Sequence, residues 1–309
     1  MAKFLILLLL LLIIIVALVI IKCSPTTQID GGNDIVNDSR KIPAGRLGYT
    51  DYEGDQIKAI RRSGDLTLLA RLLRVLKIKK LPHGQNDKEI LQKVAKIRGL
   101  KPDKDKPMWS LGTKRDQFHA HKLLKTIQSA MPLPKNPKYL DVGGADCGVS
   151  KKLGEIINAS TIHCFDVYGE SGKKNGVIRT VAKPGQPLPY DSDSFDIITA
   201  MMSLHHVRDI HQLVDEIVRV LKPGGYLIIR EHDCWDAADA MIVNLEHKIY
   251  QIAFEEGNYK NDVFQYRNVP SWKRLFGKLR LIDTMYYFTQ NKPNITASRS
   301  FVAMFVKKS

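Results

Sequence analysis

The sequence is poor in several things that would have given it away at once. Its four cysteines, Cys23, Cys147, Cys164 and Cys234, form no CxxC pair and no Cys/His pattern, which leaves no sulfur-based metal site. In a chain of 309 residues they do not amount to a disulfide framework, so unpaired thiols in a reducing compartment are expected. No internal repeat recurs, which excludes solenoids and propellers. Acidic residues are short, 32 against 47 Lys and Arg, for a net charge of +15. That excess suits an anionic partner such as nucleic acid, acidic lipid or an acidic protein. It also suits a basic protein with no such partner, and charge alone does not separate the two. At 44% hydrophobic and 26% charged the chain is globular rather than disordered.

Long apolar runs are absent with one exception. From Phe4 to Ile21 the chain reads "FLILLLLLLIIIVALVII" between Lys3 and Lys22. That length spans a bilayer core of about 30 Å. A cleaved signal peptide is the rival, but its apolar core is usually about 7–15 residues with a small-x-small site, and "IKCSPTT" offers a poor one. Residues 1–22 are therefore expected to be a membrane anchor. Lys22, Arg40 and Lys41 outweigh Lys3 and the amino terminus, favouring a single-pass protein with a cytosolic body. Cys23 beside the anchor is a candidate palmitoylation site.

Residues 23–54 are polar, lack periodicity and read as a flexible tether. Residues 55–114 turn basic and helical. In "LTLLARLLRVLKIKKL", Leu69, Leu72, Leu73 and Leu76 share one helical face, with Arg71, Arg74 and Lys77 on another. A second helix is expected in "DKEILQKVAKIRGL". The basic helices at 56–100 have three readings: a cap packed on the C-terminal domain, a face for anionic lipid, or an RNA-binding module.

From residue 115 strands and helices alternate. "KYLDVGG", "TIHCFDV", "GVIRTVA", "FDIITAMMS" and "YLIIRE" read as strands, with helices over Lys114–Ala130, "GVSKKLGEIINA" and "IHQLVDEIVRVLK". "PGG" ends the last of these helices. Alternation implies right-handed crossovers and a doubly wound α/β sheet. "LIDTMYYFT" and "SFVAMFVKK" have no helix between them and should pair as an antiparallel hairpin at one edge.

In such a sheet ligands bind beyond the carboxyl ends of the strands, where strand order reverses. The turn Asp141-Val142-Gly143-Gly144-Ala145 lies at such an end, Asp166 closes the next strand, and "LPYDSDSFDIITAMMSLHHV" and "VLKPGGYLII" come after it in order. Together these resemble the class I S-adenosylmethionine-dependent methyltransferases, over roughly residues 115–309, in the subgroup with "LPF…SFD…LHH…LKPGG" phrasing. The turn holds no G-x-G-x-x-G, unlike a dinucleotide dehydrogenase. The resemblance implies a Rossmann-like seven-stranded sheet and S-adenosylmethionine as cofactor. It implies that Asp141, Gly143, Gly144 and Ala145 contact the methionine end and that Asp166 and Val167 hold the ribose side. Met202, Ser203 and His206 then line the loop beside the sulfonium.

The chain departs from that pattern where Ala145 and Cys147 stand in place of glycine, and where "VAKPGQPLPY" lacks the acid that usually meets adenine. Methyl transfer to a good nucleophile needs mainly alignment. If the acceptor must lose a proton, Glu231, His232, Asp233 and the pair His205 and His206 are the candidate bases. A metal held by Glu231, His232, Asp233 and Asp236 is not expected, because alternate strand residues face opposite ways. No Asn/Asp-Pro-Pro-Tyr or Pro-Cys signature points to DNA bases, so the methyl acceptor stays unidentified, with a small molecule or lipid favoured. The alternatives are a methyltransferase acting on RNA, such as a cap guanine, and a catalytically degenerate scaffold.

Overall fold

The computed structural model describes residues 55–100, 113–254, 264–286 and 300–308. The anchor expected at 4–21 and the tether expected at 23–54 lie outside them. Among the described residues no helix is long and apolar enough to cross a membrane.

Three helices come first: α1 (Gln56–Ser63), α2 (Leu66–Val75) and α3 (Asp87–Ile97). Next are α4 (Thr113–Ala130), β1 (Lys138–Val142), α5 (Gly148–Ile156), β2 (Thr161–Asp166), β3 (Gly172–Lys174), β4 (Val177–Val181) and β5 (Phe195–Met201). A single 3-10 turn, Leu204–His206, leads to α6 (Ile210–Val220), β6 (Leu221–His232), α7 (Ala237–Phe254), α8 (Val269–Leu275), β7 (Arg280–Tyr286) and β8 (Ser300–Val306).

The strands form one mixed sheet in the order β3-β4-β2-β1-β5-β6-β8-β7. Strands β1, β2, β4, β5 and β6 run parallel, and β8 is antiparallel to both β6 and β7. The Rossmann-like α/β class and the terminal antiparallel pair are as the sequence implied. The sheet has eight strands rather than seven, because Gly172–Lys174 folds back on β4. That strand is three residues long and polar, too short to show a period of two.

A second correction concerns "PGG". Strand β6 begins at Leu221, directly after α6, and carries Pro223, Gly224 and Gly225 within it. Its pairing with β5 shifts between Phe195↔Leu221 and Ile197↔Tyr226, and Gly224 takes φ 75° at the offset. The third correction is sulfur. Cys147, at the start of α5, and Cys164, in β2, form a disulfide with their Cα atoms 6.0 Å apart. Their sequence separation of 17 carries no pairing signal; the parallel β1–β2 ladder brings them together.

Because side chains alternate across a strand, the sheet buries two layers. On one face Leu140, Ile198, Leu227 and Phe301 pack with Ile210, Val214 and Ile217 of α6 and Trp272 of α8. On the other Tyr139, Ile162, Ile197 and Ile228 pack with Ala120, Leu123 and Ile127 of α4 and Leu153 of α5. The chain winds outward through β2 and β4, then returns to β5, so strand order reverses between β1 and β5.

The basic helices form a cap. Leu68, Leu72, Val75 and Leu76, with Ile57, Ile60, Ile90, Leu91 and Val94, pack against Met241, Ile242, Leu245 and Ile249 of α7. The apolar stripe of α2 is rotated from the one read in sequence, with Leu69 and Leu73 at its margin. Arg71 pairs with Asp239 on α7. Asn86 and Asp65 cap α3 and α2 by accepting from Glu89 N and Leu68 N, each at 2.9 Å.

Candidate functional site

The carboxyl ends of β1, β2, β5 and β6 converge at the reversal. At the first, the backbone turns sharply at Gly143, whose φ of 75° favours glycine. A Cβ there would stand 2.3 Å from Ser203 Cβ, and one on Gly144 would stand 2.7 Å from Cys164 Sγ. The two glycines thus let the β1 turn press against the loop after β5 and against β2. Ala145 and Cys147, at the positions where glycine is usual, do take left-handed backbone, with φ 51° and 62°.

Asp141 is buried, and both of its oxygens are engaged. Ser150 Oγ donates to Oδ2 at 2.5 Å, Thr199 Oγ1 donates to Oδ1 at 2.6 Å, and Tyr139 OH meets Thr199 Oγ1 at 2.7 Å. Burial raises its carboxyl to about 6 against the pull of those two hydrogen bonds, and Asp166 adds to the rise. The residue ties β1, α5 and β5 together. Asp166 accepts from Ala145 N at 2.8 Å through Oδ2, and from Val167 N and Tyr168 N at 2.7 and 3.1 Å through Oδ1. It holds the turn against the end of β2. Val167 is half-buried beside it, and Tyr168 is exposed at 63% on the rim.

The loop after β5 opens with Met202 in left-handed backbone (φ 57°), its N donating to Arg230 O at 2.7 Å. A bulky side chain is strained there, and that strain turns the chain toward β1. Ser203 Oγ donates to Val142 O at 2.9 Å. Three of the expected cofactor contacts, Gly143, Met202 and Ser203, therefore lie together.

Glu231 is not open to an acceptor. It is fully buried, with Oε1 accepting from Leu204 N at 2.7 Å and Oε2 at 2.6 Å from His205 Nδ1. Asp233 is also buried, and its Oδ1 accepts from Val269 N at 3.0 Å, fixing α8 to the end of β6. Both of these candidate bases act as struts. His232 and His206 belong instead to a group that no sequence motif assembles. Four of the nine histidines, His205, His206, His232 and His247, pack ring to ring with Phe264 and Tyr266. His247 comes from the middle of α7, in "NLEHKIYQ", where no motif marks it.

Within the group His205 Nε2 lies 3.1 Å from His247 Nε2, and His247 Nδ1 lies 2.8 Å from Val243 O. His232 is 4% exposed, and neither of its ring nitrogens has a hydrogen-bond partner. His206 is solvent-exposed at the rim, with its ring against those of His205 and His247. Loss of hydration holds His232 well below the usual histidine range and His247 down to about 3, each further lowered by its neighbouring rings. These imidazoles are neutral at physiological pH.

Residues 140–229 match the family model described as Methyltransferase domain. The chain is similar to a demethylmenaquinone methyltransferase of Staphylococcus carnosus, 33% identical over 123 residues, which is 37% of this chain and 51% of that protein. It is also similar to a ubiquinone/menaquinone biosynthesis C-methyltransferase of Idiomarina loihiensis, 39% identical over 127 residues, 37% of this chain and 50% of that protein. The chain spans about half the length of these curated relatives. Among solved structures it is similar to an S-adenosylmethionine-dependent methyltransferase from Mesorhizobium loti, with TM-score 0.45, 16% identity, and 60% and 98% of the two chains covered.

Proposed function

We propose that the described domain binds S-adenosylmethionine at the reversal between β1 and β5 and transfers its methyl group to a small-molecule or lipid acceptor. The observation that carries the reading is the close approach of the Gly143 turn to Ser203, at the reversal point and within the stretch that matches a methyltransferase model. The residues present fit the cofactor: a backbone turn free of side chains at Gly143 and Gly144, with carboxylates at the ends of β1 and β2. When bound, the cofactor supplies an electrophilic methyl on a sulfonium. The protein's part is to hold its two ends, with Asp166 and the Gly143–Ala145 backbone, and to keep water from the acceptor side.

The names of the relatives favour an acceptor of the hydroxylated-ring, quinone-precursor kind over RNA or protein. An apolar acceptor of that kind also suits an anchor at residues 4–21 with the body on the cytosolic side, where the methyl donor is made. The Cys147–Cys164 bridge weighs the other way, because such bridges persist in oxidising compartments. A glycan at Asn37 on the full chain expressed in a eukaryotic cell would put the body in the lumen, and its absence supports the cytosolic side. The degenerate-scaffold reading has one observation behind it: Asp141 and Asp166 are already satisfied within the chain.

Calorimetry with the cofactor and its demethylated product decides between these. Saturable binding is expected. Asp166→Ala should weaken it by about 1.5–3 kcal/mol, the worth of hydrogen bonds to a charged group. No binding at millimolar cofactor would leave only the scaffold. Labelled cofactor given to separate lipid, RNA, protein and metabolite fractions then identifies the acceptor class.

A further inference from the structure

The histidine cluster has donor atoms that methyl transfer does not use. We propose that His205, His206 and His247 bind a single divalent transition metal of the zinc class, with His232 buried beside the group. The proposal is independent of methyl transfer. It uses none of the Glu231, Asp233 and Asp236 carboxylates as ligands, and it draws its donors from two elements, the 3-10 turn and the middle of α7.

The argument starts from protons. Val243 O can only accept a hydrogen bond, so the His247 nitrogen 2.8 Å away, Nδ1, carries the proton. Glu231, buried and already accepting from Leu204 N, accepts a hydrogen bond from His205 Nδ1 at 2.6 Å. With each Nδ1 so engaged, the two Nε2 atoms are the nitrogens left to bind a ligand. Those atoms face one another at 3.1 Å. That is the spacing of two nitrogens that share a proton or a metal ion. A tetrahedral metal with bonds of about 2.0–2.1 Å to nitrogen separates its ligand atoms by roughly 3.3 Å. The observed spacing is close to that.

Three further observations point the same way. The ligand atoms of His205, His206 and His247 all lie within 4.8 Å of one another. The outer partners are those that orient metal-binding imidazoles, a carboxylate on one ring and a backbone carbonyl on another. His232 is nine-tenths and more buried, has no partner for either nitrogen, and its ring centroid lies 5.0 Å from that of His205 and 5.3 Å from that of His247. An unpaired buried imidazole is costly unless something binds it. Imidazole donors in this number suit zinc, copper, iron or nickel rather than magnesium or calcium. Phe264 and Tyr266 give the group an apolar wall.

The test is metal binding by the full chain in detergent, stripped with chelator and then titrated with Co²⁺ or Zn²⁺. One equivalent is expected, with the visible absorption of four-coordinate Co²⁺ and nitrogen ligation in its X-ray absorption. His247→Gln and His206→Asn should each weaken binding at least about 10-fold. Glu231→Gln, which touches no metal, should weaken it about 10–100-fold through His205. His163→Asn, outside the cluster, should change nothing. Because His206 is exposed, His206→Asn should keep the wild-type circular dichroism, so its effect cannot be put down to misfolding. The proposal is overturned if the stripped protein takes up no Co²⁺, or if His206→Asn and His247→Gln bind as the wild type does. A ¹⁵N spectrum showing His205 as an imidazolium, with no metal bound, would assign the cation to a proton and overturn it equally.

Discussion

The two ends of the candidate cleft handle their polar groups in opposite ways. At the β1–β2 end every named carboxylate oxygen is satisfied inside the chain: Asp141 by Ser150 and Thr199, Asp166 by Ala145, Val167 and Tyr168. At the β5–β6 end four imidazoles pack together, and neither ring nitrogen of His232 has a hydrogen-bond partner. The first end is a finished frame, rigid before any ligand arrives. The second has buried nitrogens with unmet bonding capacity, and natural interiors rarely tolerate that without a ligand. Shape is set at one end, and chemistry is left open at the other.

The sharpest way to break the comparison is to fill the frame. Gly143→Arg places a side chain where even a Cβ meets Ser203 at 2.3 Å, on backbone with φ 75°. Cofactor affinity should fall at least about 100-fold, a loss of about 2.7 kcal/mol or more. Gly64→Arg is the control. It has nearly the same φ, 67°, with nothing within 4 Å, and should leave binding alone. Equal losses in both would mean that strain, not crowding, is being measured.

Next in size is the strut between the two ends. Glu231→Gln leaves His205 without its carboxylate in a fully buried setting. Replacing a carboxylate that accepts from both Leu204 N and His205 Nδ1 costs about 1.5–3 kcal/mol, the worth of hydrogen bonds to a charged group. Urea unfolding of the metal-free protein should show that loss. A change under about 1 kcal/mol would mean that an amide serves both hydrogen bonds as well as the carboxylate does.

The third test uses pH and singles out the frame. Burial lifts the folded pKa of Asp141 from 3.8 to about 6, so the folded state holds a proton the unfolded state has released. Its contribution is therefore fully present below about pH 4 and is lost as pH rises through 6. Wild type measured against Asp141→Asn should lose about 2 kcal/mol of relative stability between pH 4 and 7, somewhat less than the full two-unit shift because the site relaxes. A flat difference would mean that Ser150 and Thr199 keep the carboxylate charged throughout.

The frame was legible in the sequence and the cluster was not, for physical reasons. Asp141, the glycines and Asp166 sit at strand ends, where period and turn chemistry fix their place from neighbours in the chain. The paired strands β7 and β8 were read in the same way. His205 and His206 were visible as a motif, but His247 lies 42 residues from His205 and is brought to it by the packing of α7. A lone helical histidine carries no local mark. Glu231 and Asp233 read as candidate bases because acids at a strand end look like chemistry, and their burial as internal acceptors depends on contacts far away in the chain. The Cys147–Cys164 bridge was missed for the same reason as His247: its partners meet only through the sheet.

The smallest expected effect tests whether the frame's strain is useful. Ala145 occupies left-handed backbone at φ 51°, a conformation that costs a residue with a Cβ about 1 kcal/mol or more. Glycine would relieve that cost but would give the unfolded chain extra freedom worth about 0.4–1 kcal/mol. Ala145→Gly should therefore stabilise the fold by only a few tenths of a kcal/mol. Ala145 isolates the question better than Cys147, which shares the left-handed region but is also tied to Cys164. Its N–H donates to Asp166 at 2.8 Å, so it sets the distance between the turn and the acid that would meet the ribose. Glycine at this point loosens that link, because more of its backbone conformations are accessible. The two effects should part company: unfolding midpoints rise slightly while cofactor affinity falls by a small factor. If affinity rises along with stability, the alanine is simply a poor fit for its turn. If stability drops, the left-handed conformation at 145 is held by its surroundings more firmly than the local cost suggests, and the turn is stiffer than its glycines imply.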